Sequence, residues 1–113
     1  MKLPGAERAF VDPIKVRDYL LSFDHPVGHS KARFFASLGF VRSKWPRLRR
    51  VLLEIGRDGD AVVGNPTPYG RKYEIRATIQ GVGGRSAEVV TIWIILADES
   101  FPRFVTAYPG PLR

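Results

Sequence analysis

The apolar residues change period near the middle of the chain, and this constrains the fold more than any other feature. Up to about residue 57 they recur every three or four positions, and from Tyr69 onward they alternate. The first spacing belongs to helices and the second to strands. The expectation is an α+β domain. N-terminal helices pack on one face of a three- to four-stranded antiparallel sheet, and all 113 residues form a single domain.

Local signals place the elements. Asp12-Pro13 starts a helix, because the carboxylate caps free N–H groups and Pro suits the first turn. Val16, Tyr19, Leu20 and Phe23 form its apolar stripe. Pro26 and Gly28 make residues 23–30 a loop. Ser30 then caps a second helix running to Leu38, with Phe34, Phe35 and Leu38 buried and Gly39 ending it. A third helix starts at Ser43, buries Trp45, Leu48, Leu52 and Ile55, and stops at Gly56 or Gly59. Residues 58–68 read as an exposed loop in which Ala61 to Val63 could add a short edge strand. Strands follow at about 70–81 and 85–96, joined across Gly83-Gly84, and a last one at about 102–108.

Alternation assigns the faces. Tyr73, Ile75, Ala77 and Ile79 fall on the covered side of the first long strand. On the second, Val90, Ile92, Ile94 and Leu96 form the more apolar side. The open face would then carry Lys72, Glu74, Arg76, Thr91, Trp93, Thr106 and Tyr108.

Charge narrows the partners. Eighteen basic residues stand against 11 acidic ones, for a net charge of +7, and 13 of the basic residues are arginine. Arginine forks suit phosphate and carboxylate, so nucleic acid is the first partner class; an acidic protein is the second. There is no cysteine, which excludes disulfides and thiolate metal sites and fits a cytoplasmic protein. No apolar run is long enough to span a bilayer, and the N-terminus lacks a signal-peptide pattern, so no membrane partner is expected.

Three constellations could carry chemistry. His25 and His29 lie four apart in a loop beside Asp24. Zinc needs three or four ligands, so no metal or other cofactor is expected. The histidines either cap helix ends or exchange protons near neutral pH. Lys31 continues the buried stripe of the second helix toward those histidines. It must snorkel, pair with a carboxylate, or face a cleft. On the open sheet face Lys72 and Arg76 could neutralise phosphate, Glu74 could hold them or act as a base, and Trp93 and Tyr108 could stack on bases. The alternative is an ordinary solvated face with cross-strand ion pairs.

The stretch His25-Pro26-Val27-Gly28-His29-Ser30-Lys31-Ala32-Arg33-Phe34-Phe35, the strand start Gly70-Arg71-Lys72-Tyr73, and the ending Arg103-Phe104-Val105-Thr106-Ala107-Tyr108-Pro109 together resemble a family of small bacterial proteins of unknown function. Helices followed by an antiparallel sheet ending in Thr-x-Tyr-Pro also resemble, more distantly, the barnase–EndoU–colicin–RelE group. That resemblance implies a metal-independent ribonuclease, such as the toxin of a toxin–antitoxin or contact-inhibition system, with RNA as substrate and an acidic antitoxin or immunity protein as partner. The roles would fall to His25 or His29 as acid and base, with Glu74 as an alternative base. Lys31, Lys72 and Arg76 would stabilise the phosphate, Thr106 and Tyr108 would position it, and Arg33, Arg76 and Trp93 would bind substrate. The competing expectations are a nucleic-acid-binding module without catalysis and an interaction domain that meets an acidic protein.

Overall fold

A computed structural model describes residues 1–26 and 28–110; Val27, inside the histidine loop, and residues 111–113 lie outside the description. Asp12 caps the first helix as its sequence implies, its Oδ1 accepting the N–H of Ile14 at 3.0 Å. That helix, α1 (Pro13–Lys15), widens at once into a π-helical stretch over Val16–Leu20. Helix α2 spans His29–Ser37. Gly39, at φ 89°, closes it: Gly39 N–H bonds Ala36 O and Phe40 N–H bonds Phe35 O, the paired bonds of a Schellman ending. A 3-10 turn at Arg42–Lys44 leads into α3 (Trp45–Asp58), with Pro46 in its first turn.

Four strands complete the chain: β1 (Ala61–Thr67), β2 (Gly70–Gln80), β3 (Ser86–Leu96) and β4 (Arg103–Pro109). They pair antiparallel in the order β1-β2-β3-β4. The helices pack on one face, giving the expected α+β architecture. The segment expected to be mostly loop supplies a seven-residue edge strand instead. Its Pro66 and the register shift between Val63 and Pro66 are tolerated because an edge strand needs only one row of ladder bonds.

The assignment of faces on β3 requires correction. Trp93 and Thr91, expected on the open face, are both fully buried beneath the helices. Pairing Gln80 with Ser86 brings Tyr73 opposite Trp93, Ile75 opposite Thr91 and Ala77 opposite Val89, and directly opposed residues share a face. A two-residue turn at Gly83-Gly84 would set the partners one position differently and place Ile94 opposite Tyr73. The actual connection is odd in length and centred on Gly83, with Gly83 and Gly84 both at positive φ. One residue of register moves every β3 side chain to the other face. Val90, Ile92 and Ile94 therefore lie on the open face, opposite Arg76, Glu74 and Lys72.

Trp93 is the keystone of the covered side. Its ring meets Phe104 edge-on with centroids 5.5 Å apart, and Gly56 of α3 leaves the space it occupies, since a Cβ there would sit 2.6 Å from the ring. Its indole N–H donates to Thr91 Oγ1, whose hydroxyl donates to the Ile75 carbonyl, both at 2.9 Å. The buried indole and hydroxyl are thus satisfied. Val16, Leu20, Phe35, Leu48 and Leu52 fill the core from the helical side.

Candidate functional site

The last strand carries an irregularity that builds the site. Ile92 pairs with Thr106 and Trp93 pairs with Phe104, which leaves Val105 as an extra residue. Such a bulge re-aims side chains on an edge strand. Phe104, opposite Trp93, keeps to the core; Thr106, opposite Ile92, lies at the sheet edge, where Lys31 Nζ donates to its hydroxyl at 3.0 Å and Tyr19 Oη lies 3.3 Å away. Lys31 Nζ also donates to Tyr19 Oη, closing a triangle of ammonium, phenol and hydroxyl. Lys15 Nζ donates to the carbonyl of the bulged Val105 at 3.3 Å.

Each member arrives for a local reason. Tyr19 lies on the π-helical stretch, which adds a residue to the turn and re-aims its side chains relative to a regular helix. Lys31 sits in the first turn of α2, its side chain half-buried and its ammonium held by the Tyr19 and Thr106 hydroxyls rather than by a carboxylate. His25 meets the Tyr19 ring edge-on at 5.0 Å. The two lysine ammoniums stand 4.9 Å (Lys31) and 5.8 Å (Lys15) from the Tyr19 ring centroid, in cation–π range. Together with Asp12, Ile14, Asp18 and Val105, the residues Lys15, Tyr19, His25 and Thr106 line an open cleft of about 740 Å3.

The surroundings of the Tyr19 phenol lower its pKa. Burial pushes the Tyr19 pKa up, but the hydrogen bonds from Lys31 and then Thr106, with the charges of Lys31 and Lys15, outweigh it and hold the phenol below its ordinary value. Asp18 on the cleft wall is held far below the usual carboxylate range by hydrogen bonds from Arg17 and Arg42.

The two histidines differ. His25 Nδ1 accepts the N–H of Gly28 at 3.0 Å. His29 Nδ1 lies 3.1 and 3.3 Å from the carbonyls of Pro26 and His25, so it donates to backbone at the start of α2 and sits exposed, away from the cleft lining. The other candidates are spread across the open sheet face. Lys72 is exposed and opposite Ile94, and Arg76 Nε pairs with Glu74 Oε2 at 3.4 Å, as in an ordinary solvated face. Tyr108, opposite Val90, is part-exposed on the same face, and Arg33 is exposed on α2. Trp93 is buried and offers no stacking platform. Of the expected residues, His25, Lys31 and Thr106 come together, and Lys72, Glu74, Arg76, Tyr108, Arg33 and His29 stand apart from them.

Sequence reasoning missed Tyr19 and Lys15 as site residues. Tyr19 was read as part of an apolar stripe, yet a half-buried phenol requires a polar partner, and that requirement was the available signal. Among the described residues no group of three or more His, Cys, Asp or Glu side chains is placed to hold a metal ion. No described helix is long and apolar enough to cross a membrane.

No curated protein matches the chain. A chain of a solved contact-dependent growth inhibition toxin–immunity protein complex from Klebsiella pneumoniae 342 shares the fold, with a TM-score of 0.71, 21% identity, and coverage of 88% of this chain and 98% of that one. The sequence itself matches a family over residues 2–111, and the chain belongs to that family, the Domain of unknown function (DUF6883).

Proposed function

We propose that the protein is a small RNA-cleaving toxin domain, independent of metal, whose reaction centre is the cleft beside β4 and whose natural counterpart is an acidic immunity protein or antitoxin. The observation that carries this reading is the triangle of Lys31, Tyr19 and Thr106, whose Tyr19 and Thr106 line an open cleft together with Lys15 and His25. The net charge of +7 favours a polyanionic substrate and an acidic partner. The shared fold with a chain of a toxin–immunity protein complex supports the biological setting, with cytoplasmic RNA as the target.

The reaction would be attack of a ribose 2′-oxygen on the adjacent phosphorus. The 2′-O–P bond forms, the bond from phosphorus to the 5′-oxygen breaks, and a 2′,3′-cyclic phosphate and a 5′-hydroxyl result. Tyr19, with its phenol pKa lowered, takes the 2′-proton, a role better suited to it than to His25, whose Nδ1 lone pair is already engaged by the Gly28 N–H. Lys31 and Lys15 offset the charge that builds on the phosphorane. Thr106 orients the phosphate, and His25 donates a hydrogen bond to it. The proton for the leaving 5′-oxygen comes from water or from Lys31. Lys72 and Arg76 guide the strand electrostatically from the open face.

The test is cleavage of mixed RNA in the presence of a chelator by wild type, Tyr19→Phe and Lys31→Met. The expected result is metal-free cleavage that both substitutions reduce about a hundredfold or more, with the fold intact. Cleavage that needs added metal, or that survives both substitutions, overturns the reading. A second reading, an interaction domain that docks an acidic protein, draws on Ile92 and Ile94, part-exposed on the sheet face opposite Glu74 and Lys72; it is favoured if the protein neither binds nor cleaves RNA.

A further inference from the structure

A second depression adjoins the cleft along the same seam. It is an open pocket of about 330 Å3 lined by Arg8, Phe10, Phe101 and Arg103. The seam forms where the N-terminal segment lies along β4. Phe10 N–H bonds Pro102 O, and Phe104 N–H bonds Phe10 O, each at 2.9 Å. Alternation sets which way these residues point. Val11 and Phe104 are buried in the core, so Phe10 and Asp12 on one segment, and Arg103 and Val105 on the other, face outward. Phe10 and Arg103 line the pocket, and Asp12 and Val105 line the cleft. The two depressions are therefore neighbours on one surface. Their nearest lining residues, Phe10 and Asp12 on one segment and Arg103 and Val105 on the other, are two apart along the chain.

The lining is unusual for a surface fold. Phe10 and Phe101 are half-exposed and belong to no part of the core cluster. Between them the Arg103 guanidinium lies 4.9 Å from the Phe101 ring and 5.5 Å from the Phe10 ring. Both oxygens of Glu99 hold it at 2.7 Å, which fixes its plane and balances its charge. Arg8 is tied to Ser100 through Oγ at 3.1 Å and the carbonyl at 2.9 Å, and it brings a cation to the rim. Flat apolar rings, a fixed guanidinium plane and a cationic rim match the stacking surface and flanking phosphate of one nucleotide.

We propose that this pocket is a nucleobase subsite: it stacks the base of the nucleotide next to the reacting phosphate on Phe10 and Phe101, with Arg8 at the following phosphate. The position relative to the reaction rests on the RNA-cleavage reading; the stacking itself is a binding property and can be measured without cleavage.

The experiment uses a fluorescein-labelled strand of four 2′-O-methyl ribonucleotides, which cannot supply an attacking hydroxyl, and the same strand with one base removed at each position in turn. Binding by wild type, Phe101→Leu and Phe101→Trp is measured by anisotropy at low salt. Wild type is expected to bind one abasic strand roughly tenfold more weakly than the intact strand, within the range known for single stacked bases. Phe101→Leu should erase that difference, and Phe101→Trp should keep it. Equal affinity for intact and all abasic strands, no binding at all, or a loss in Phe101→Leu that is the same for intact and abasic strands would each overturn the proposal. A protein that shows the base-dependent difference yet cleaves no RNA would fail the catalytic reading alone.

Discussion

Trp93 and Ile94 are neighbours on one strand and experience opposite environments. Trp93 is sealed between Gly56, Phe104 and Thr91, with its one polar atom satisfied. Ile94 lies on the open face opposite Lys72 and is only half-buried. The covered face of the sheet is occupied by packing and the open face is not. The polar chemistry concentrates on neither: it gathers at the β4 edge, where Lys31 and Tyr19 of the helical layer meet the Thr106 hydroxyl next to the bulge at Val105. A regular ladder leaves little freedom to re-aim a side chain, and an edge with an extra residue supplies it.

The largest expected effect separates the two faces. Trp93→Ala should cost about 3–5 kcal/mol, because it leaves a cavity under α3 and removes the N–H that donates to Thr91 Oγ1. Ile94→Thr should cost about 1 kcal/mol or less. Urea unfolding followed by far-UV circular dichroism measures both, and equal costs would break the comparison.

Activity should separate the edge from the open face. Lys31→Met is expected to lower RNA cleavage about a hundredfold or more, since it removes the ammonium shared by Tyr19 and Thr106. Lys72→Met is expected to leave kcat within about twofold and to flatten the salt dependence of binding by about 0.7 in log–log slope, as for one lost phosphate contact on a single strand. Rates and titrations across salt read both. A larger loss from Lys72→Met than from Lys31→Met would move the reaction centre to the open face.

A pH profile sharpens the assignment within the edge. A phenol whose pKa lies below the ordinary value is increasingly ionised as pH rises toward that value. If phenolate is the base, the cleavage rate climbs with pH and levels off before pH 10. Tyr19→Phe should lose this limb, and Lys31→Met should shift it to higher pH by removing the group that favours the phenolate. An unchanged profile in Tyr19→Phe would return the proton transfer to a histidine.

The smallest effect is expected at the rim. Asp18 joins Arg17 and Arg42 in ion pairs that remain open to solvent, so Arg42→Ala should lower thermal stability the least of these variants. Thermal unfolding of the variant against wild type checks this.

The change of period from helical to alternating, the Asp12 cap, the Gly39 ending and the Gly-Gly connection were all legible in the chain. Each depends on residues close in sequence. Lys31 also announced itself, because a lysine on an apolar helix stripe needs an explanation. The faces of β3 did not. That strand is apolar on both sides, so its alternation carries no direction, and the register with β2 turns on whether the hairpin connection is odd or even. Tyr19 was hidden for a different reason: a tyrosine at helical spacing among Val16 and Leu20 looks like core until its hydroxyl finds a partner 87 residues away.

By itself the sequence determined the α+β class, the order of helices before sheet, the basic character and two histidines near one lysine, because period, turn chemistry and charge are local properties. Only the tertiary structure decided that His25, Lys31 and Thr106 meet Tyr19 at the edge strand while Lys72, Glu74 and Tyr108 stay on the open face. That choice is made by register and by one bulged residue, and both are set by the summed packing of the two layers rather than by any single stretch of chain.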